Sequence, residues 1–319
     1  MENKILYHYC GVETFLNIIR NHTLRLSDLC NSTDGLEMKS LLDVVKGKIL
    51  EQYKDNNDFV NSVIYSMGMD EAFSFILEAL ISKMKDDTDQ MLFGICFSEE
   101  GDLLGQWREY SDRGTGLAIG FEMEWFQRLC EKDKLFRFSK VSYGYNGENK
   151  STIEELVTSI YQGILNAIEE ENVKSIIDSP YVLDYEMGIH KKLIYLESIF
   201  IKNKEYQNEK EWRLILDDEN TYKSYGDWIE YYNWKKEDKL KGTIYELIPN
   251  GMEFMVRNGK IIPYLDLKFN LDTNDIPIKK IVIGPNCKVG ELDIYHLLEF
   301  FGYENDKIEI KKSQSSYRI

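Results

Sequence analysis

Long apolar runs are absent from this chain of 319 residues. No window approaches the roughly 20 apolar residues that a helix needs to cross a bilayer. The opening stretch "MENKILYHYC" is charged and short of apolar residues, which argues against a signal peptide. Paired cysteines are missing too. Cys10, Cys30, Cys96, Cys130 and Cys287 are scattered and odd in number, so the pattern predicts free thiols, not a disulfide frame or a zinc site. Positive charge is scarce: 39 Lys and Arg stand against 55 Asp and Glu, a formal net charge of -16. A field of that sign disfavours nonspecific binding to nucleic acid or anionic membranes, while leaving room for a local basic groove. The usual phosphate and catalytic motifs are also absent: there is no GxGxxG after a strand, no GxxxxGK(S/T), no HExxH and no GxSxG. No Cys/His set has metal-ligand spacing, so no metal is expected. These absences predict a soluble cytoplasmic protein with no membrane partner.

What is present is enough to build a core. Hydrophobic residues make up 43% and aromatics 13%, which argues against disorder over most of the length. Strand patterns fall at residues 5–10, 23–27, 91–98, 114–122, 136–145 and 209–216, and again in "TIYELIP", "IKKIVIGP" and "KIEIKK". Helical patterns fall at 12–21, at 35–85 in two or three pieces, in "DLLGQWREYS", at 152–171, at 184–203 and at 290–301. Strands and helices alternate irregularly. The expected fold is therefore α+β and mostly antiparallel, not a doubly wound parallel sheet. A single domain over 1–319 is expected, with helical insertions at about 38–90 and 150–203.

Four stretches can carry chemistry. His8 sits inside the first strand between Tyr7 and Tyr9, and alternation turns both tyrosines to the face opposite it. Taken alone, a strand histidine reads as a satisfied core residue. In "GQWREYSDRGTGLAIGF", Tyr110 and Ser111 precede a Gly-x-Gly turn. Tyr110 either stacks on a planar ring or packs beneath the turn. In "FIKNKEYQNEKEWR", Lys202 and Lys204 precede Glu209, Glu211 and Arg213. Read as a strand, this places Glu209, Glu211 and Arg213 on one face. They form either a surface ion-pair set or a buried carboxylate that Arg213 holds ionised and fixed. An oriented carboxylate is what oxocarbenium chemistry at a sugar carbon requires. In "NSTDGLE", Asn31, Asp34 and Glu37 read as caps of the following helix, with lining of the same cleft as the alternative.

These stretches, in this order, resemble the bacterial family catalogued as domain of unknown function 2971. The likeness runs through "LYHYCGVETFLNIIRNHTLRLSDLCNSTDGLE", "GICFSE", "WREYSDRGTGLAIGF", "KVSYG", "FIKNKEYQNEKEWRL" and "IKKIVIGP". Gly35 stands where that family usually has proline. The opening strand with its central histidine, followed by "FLNIIRNHTLRLS", also resembles the start of ADP-ribosyltransferase folds, a likeness that implies mostly antiparallel (split) sheets.

That second resemblance implies a His–Tyr–Glu set on His8, Tyr110 and Glu211, with Ser111 as the alternative occupant of the middle position. It implies that His8 holds the nicotinamide-side ribose and Tyr110 stacks on nicotinamide. Glu211 would bind a ribose hydroxyl and stabilise the transition state. Glu209 would belong to the same glutamate motif, Arg213 would fix Glu211, and Lys202 would meet the pyrophosphate. The implied function is NAD-dependent ADP-ribosyl transfer to an intracellular protein or nucleic acid, in a toxin or anti-phage setting, with NAD as a substrate. The alternative is a non-catalytic module that binds a nucleotide or a protein.

Overall fold

The computed structural model describes residues 4–29, 35–55, 73–74, 77–79, 81–82, 92–145, 150–170, 197–216, 247–257, 259–269 and 276–318. The chain divides into two compact units: 1–31, 90–141 and 207–319 form the first, and 32–89 with 142–206 form the second. Nearly all of the two stretches expected as insertions lies in the second unit.

The first unit is built on a ten-stranded sheet. Its strands are β1 (Ile5–Cys10), β2 (Thr23–Asp28), β3 (Phe93–Ser98), β4 (Leu117–Glu122), β5 (Phe136–Lys140), β8 (Glu211–Leu216), β9 (Met252–Arg257), β10 (Lys260–Lys268), β11 (Ile278–Ile283) and β12 (Glu309–Lys312). The path runs β12-β11-β4-β1-β3-β2-β10-β9, with β8 paired to β3 and β5. Every described pairing in this sheet is antiparallel except β11 with β12. The fold is thus the expected α+β class with a mostly antiparallel sheet.

Helix α1 (Val12–Asn21) connects β1 to β2 and buries Phe15, Ile18 and Ile19, the i, i+3, i+4 stripe of a core-facing helix. Helices α3 (Leu104–Tyr110), α4 (Met123–Lys132) and α6 (Glu291–Phe300) also belong to this unit. One face of the sheet carries the main core, in which Leu6, Cys10, Phe93, Ile95, Phe97, Leu214 and Leu216 pack with α1 and with Phe126 of α4. On the opposite face, Tyr9, Trp107, Ala118 and Val282 make a smaller cluster against α3, with Tyr7 and Tyr110 beside it.

The second unit contains α2 (Gly35–Asp55), α5 (Lys150–Glu170), β6 (Ser142–Tyr143) and β7 (Ile201–Lys202). Strands β6 and β7 pair in parallel.

Several local expectations change. The strand expected over 136–145 is two strands. Val141 still donates its N–H to Glu211, whereas Ser142 donates to Phe200, so the backbone changes partners at that point. The strand expected from 114 begins at Leu117. Before it, Asp112, Arg113 and Gly114 all take positive φ, and Gly116 donates back to the Ser111 carbonyl. The helix expected to run to 203 has given way to β7 by Ile201; its stretch over 184–196, like the turn at 31–34, lies outside the described residues. Helix α4 and the β9–β10 hairpin were not expected. Lys260 pairs with Arg257 at the end of this antiparallel pair.

A Cβ on Gly116 would overlap the Cys10 carbonyl, a backbone atom that cannot rotate away. Gly116→Ala should lower stability by about 1–3 kcal/mol, read from urea unfolding. The Glu99 carboxylate takes hydrogen bonds from Lys4 at 2.6 Å, Trp212 Nε1 at 2.8 Å and Lys140 at 3.0 Å. Burial would raise its pKa, but those three donors outweigh burial and hold it at about 2, against an ordinary 4.5. Because the folded pKa is depressed, this stabilisation is complete above the unfolded value and fades as pH falls from 4.5 through about 2. Glu99→Gln should therefore flatten that part of the curve of melting temperature against pH, and an unchanged curve would remove Glu99 from acid sensitivity.

Candidate functional site

Strand β8 begins abruptly, and the local backbone explains why. Residues Lys204–Glu209 form a 3-10 turn, and Lys210 has a φ of 47°. That left-handed residue reverses the chain, so the strand starts at Glu211 and not at Glu209. The expectation that Glu209 and Glu211 share one strand face is corrected accordingly. The turn is fastened to the end of β3: Ser98 Oγ donates to the Glu209 carbonyl at 2.7 Å, and Glu99 N–H to the Lys210 carbonyl at 3.0 Å.

Glu211 and Arg213 lie two residues apart on one face of β8, as strand geometry requires. Arg213 donates from Nε to Oε1 at 2.6 Å and from Nη2 to Oε2 at 3.1 Å. Both side chains are only 7% exposed. The planar fork matches both carboxylate oxygens and fixes the Glu211 side chain in orientation.

Register identifies what shares this face. Tyr7 pairs with Ser98, and Ser98 with Glu211. Cys96 pairs with Arg213, and Arg213 with Ser139. The residues of β3 on this face are Gly94, Cys96 and Ser98, all small, with the larger side chains on β1 and β8 to either side. Tyr9 Oη donates to the Glu100 carbonyl at 2.7 Å and accepts from Leu103 N–H at 2.9 Å. Burial pushes its phenol pKa well above the ordinary value, so it remains protonated. Its ring meets Trp107 edge-to-face at 4.7 Å. Tyr110 ends α3, and its hydroxyl donates to Glu209 Oε1 at 3.4 Å.

The structure therefore brings Tyr110 to Glu209, and Glu211 to Arg213, along one side of the sheet. Ser111 is fully buried and donates its hydroxyl to the Trp107 carbonyl at 2.8 Å, a bond internal to its own helix end. His8 stands elsewhere. It falls in the row of Phe97 and Trp212, on the core face, and its ring meets Phe97 edge-on at 6.0 Å. His8 Nδ1 lies 3.0 Å from the Cys96 carbonyl. A carbonyl only accepts, so Nδ1 carries the proton there and a neutral ring has Nε2 as its acceptor. Lys202 belongs to the second unit, where it is almost wholly buried with its ammonium 4.7 Å from the Tyr206 ring. Tyr9, Ser98 and Asp102 were not singled out from sequence. The alternation of Tyr7, His8 and Tyr9 was the available signal, since it already separates the tyrosines from the histidine.

Among the described residues, no group of three or more His, Cys, Asp or Glu side chains is arranged to hold a metal ion, and no helix is long and apolar enough to cross a membrane. A family model described as "Protein of unknown function (DUF2971)" matches residues 106–214. That span takes in Tyr110, Glu209, Glu211 and Arg213, and it bears out the resemblance to this family. No curated protein and no solved structure matches the chain.

Removing one partner of a buried ion pair strands the other charge. Arg213→Met should cost about 3–5 kcal/mol of stability. Adding Glu211→Gln to it should restore part of the loss, because the stranded charge is gone. A double-mutant cycle by urea unfolding checks this, and strictly additive losses would show that the pair is not coupled.

Proposed function

We propose that the protein breaks the nicotinamide–ribose bond of NAD and transfers ADP-ribose to a protein or nucleic-acid acceptor. The observation that carries this reading is the buried Glu211 carboxylate, held in both oxygens by Arg213 beside the Tyr110–Glu209 contact. The resemblance to ADP-ribosyltransferases supports the choice of substrate. In the reaction the glycosidic C–N bond breaks and nicotinamide leaves with the bonding electron pair. Positive charge develops at the anomeric carbon, and the fixed Glu211 carboxylate stabilises it. The acceptor then bonds to that carbon and loses its proton, for which Glu209 is the nearby base. The Tyr110 ring offers a stacking surface for nicotinamide. In this reading His8 acts through the backbone, holding β3 by its bond to the Cys96 carbonyl.

The test is nicotinamide release from NAD, with transfer of labelled ADP-ribose to lysate components, for wild type beside Glu211→Gln. The variant should keep its circular dichroism spectrum and lose about 100- to 1,000-fold in turnover, the range typical of removing one preorganised charge-stabilising group. No release by folded wild-type protein would overturn the reading and favour a binding module.

A further inference from the structure

Asp102 lies between β3 and α3, and its described hydrogen bonds come from two parts of the chain, Trp107 of α3 and residues 313–314. Trp107 Nε1 donates to Oδ1 at 2.6 Å. Ser313 Oγ donates to the same oxygen, and Gln314 N–H donates to Oδ2 at 2.7 Å. Residues 313–317 follow β12 and have no regular secondary structure of their own. They are nonetheless held at several points. Ser313 N–H continues the ladder to the Ile283 carbonyl at 2.8 Å. Ser315 N–H donates to Ser313 Oγ at 3.0 Å, and Tyr317 N–H donates to Ser315 Oγ at 3.2 Å. The Arg108 guanidinium sits 5.1 Å from the centre of the Tyr317 ring.

The held segment therefore grips α3 at two points, Trp107 through Asp102 and Arg108 through Tyr317. Helix α3 has seven residues, too short to be stable through its own hydrogen bonds. Its last residue is Tyr110, which faces Glu209. Its central residue, Trp107, is fully buried against Tyr9. We infer that Asp102 is a positioning residue that clasps residues 313–317 onto α3 and so fixes Tyr110 at the candidate site. The role assigned to Tyr110 rests on the proposed function; the clasp itself rests on the contacts alone.

Amide hydrogen exchange on the full chain tests the clasp without reference to activity. In Asp102→Ala, amides of residues 104–110 should exchange about tenfold faster or more, while those of β3 and β8 stay protected. Tyr317→Ala should raise the same amides by a smaller factor; it also serves if Asp102→Ala fails to fold. Unchanged exchange at 104–110 in a folded variant, or an increase that stops before Tyr110, would overturn the inference. Nicotinamide release by the same variants adds a second readout. Faster exchange with a fallen kcat and an unchanged melting temperature supports positioning, whereas faster exchange with full turnover overturns it. If wild type releases no nicotinamide, the proposed function falls while the exchange result still decides the clasp.

Discussion

Strand β3 gives one edge wholly to β8 and divides the other between β1 and β2. A strand edge supports one ladder at a time, so β1 and β2 cannot both run its length. β1 meets β3 at Tyr7 and Ser98, and β2 meets it at Gly94 and Phe93. Near the parting point a side chain also bonds to β3, His8 Nδ1 lying 3.0 Å from the Cys96 carbonyl. The same division turns α1 back across the core face, where Phe15, Ile18 and Ile19 fill the space between the two strands' paths.

Small residues on one side of β3 and large apolar ones on the other follow from this arrangement. Phe93, Ile95 and Phe97 feed the main core. Gly94, Cys96 and Ser98 leave the opposite side low, and the polar groups of β8 stand along it. A buried Glu–Arg pair contributes little to net stability, because desolvation offsets most of the Coulombic attraction, and apolar residues of similar volume often serve as well or better. The bidentate geometry of Arg213 on Glu211 fixes orientation as well as charge.

Much of the sheet was legible because alternation and turn chemistry are local. The strand at 5–10, α1, the short helix after 103 and the strand at Glu211 were all readable from period and flanking residues. The pairing of β9 with β10 is equally local, since Asn-Gly stands in the sequence between two runs rich in apolar residues. Helix α4 hid behind the strand before it, although Trp125, Phe126 and Leu129 show helical spacing. The failures at Ser142 and Glu209 are different in kind. Both depend on a backbone changing partners: Ser142 turns to Phe200, and Lys210 adopts a left-handed conformation that ends the turn before β8. Neither event has a signature in a six-residue window.

By itself the sequence determined which residues are able to do chemistry and which side of a given strand each one takes. It separated Tyr7 and Tyr9 from His8, and it put Glu211 and Arg213 together, because side chains on a strand alternate whatever the partner strand is. Only the tertiary structure decided which faces of different strands coincide. Register is set by pairings between residues as distant as Ser98 and Glu211, and a shift of one residue would exchange the two faces. That is why His8, which the resemblance to ADP-ribosyltransferases groups with Glu211, stands on the opposite side of the sheet in the fold. It is also why Asp102, an unremarkable acidic residue in a loop, becomes the point where Trp107 and residues 313–314 are joined.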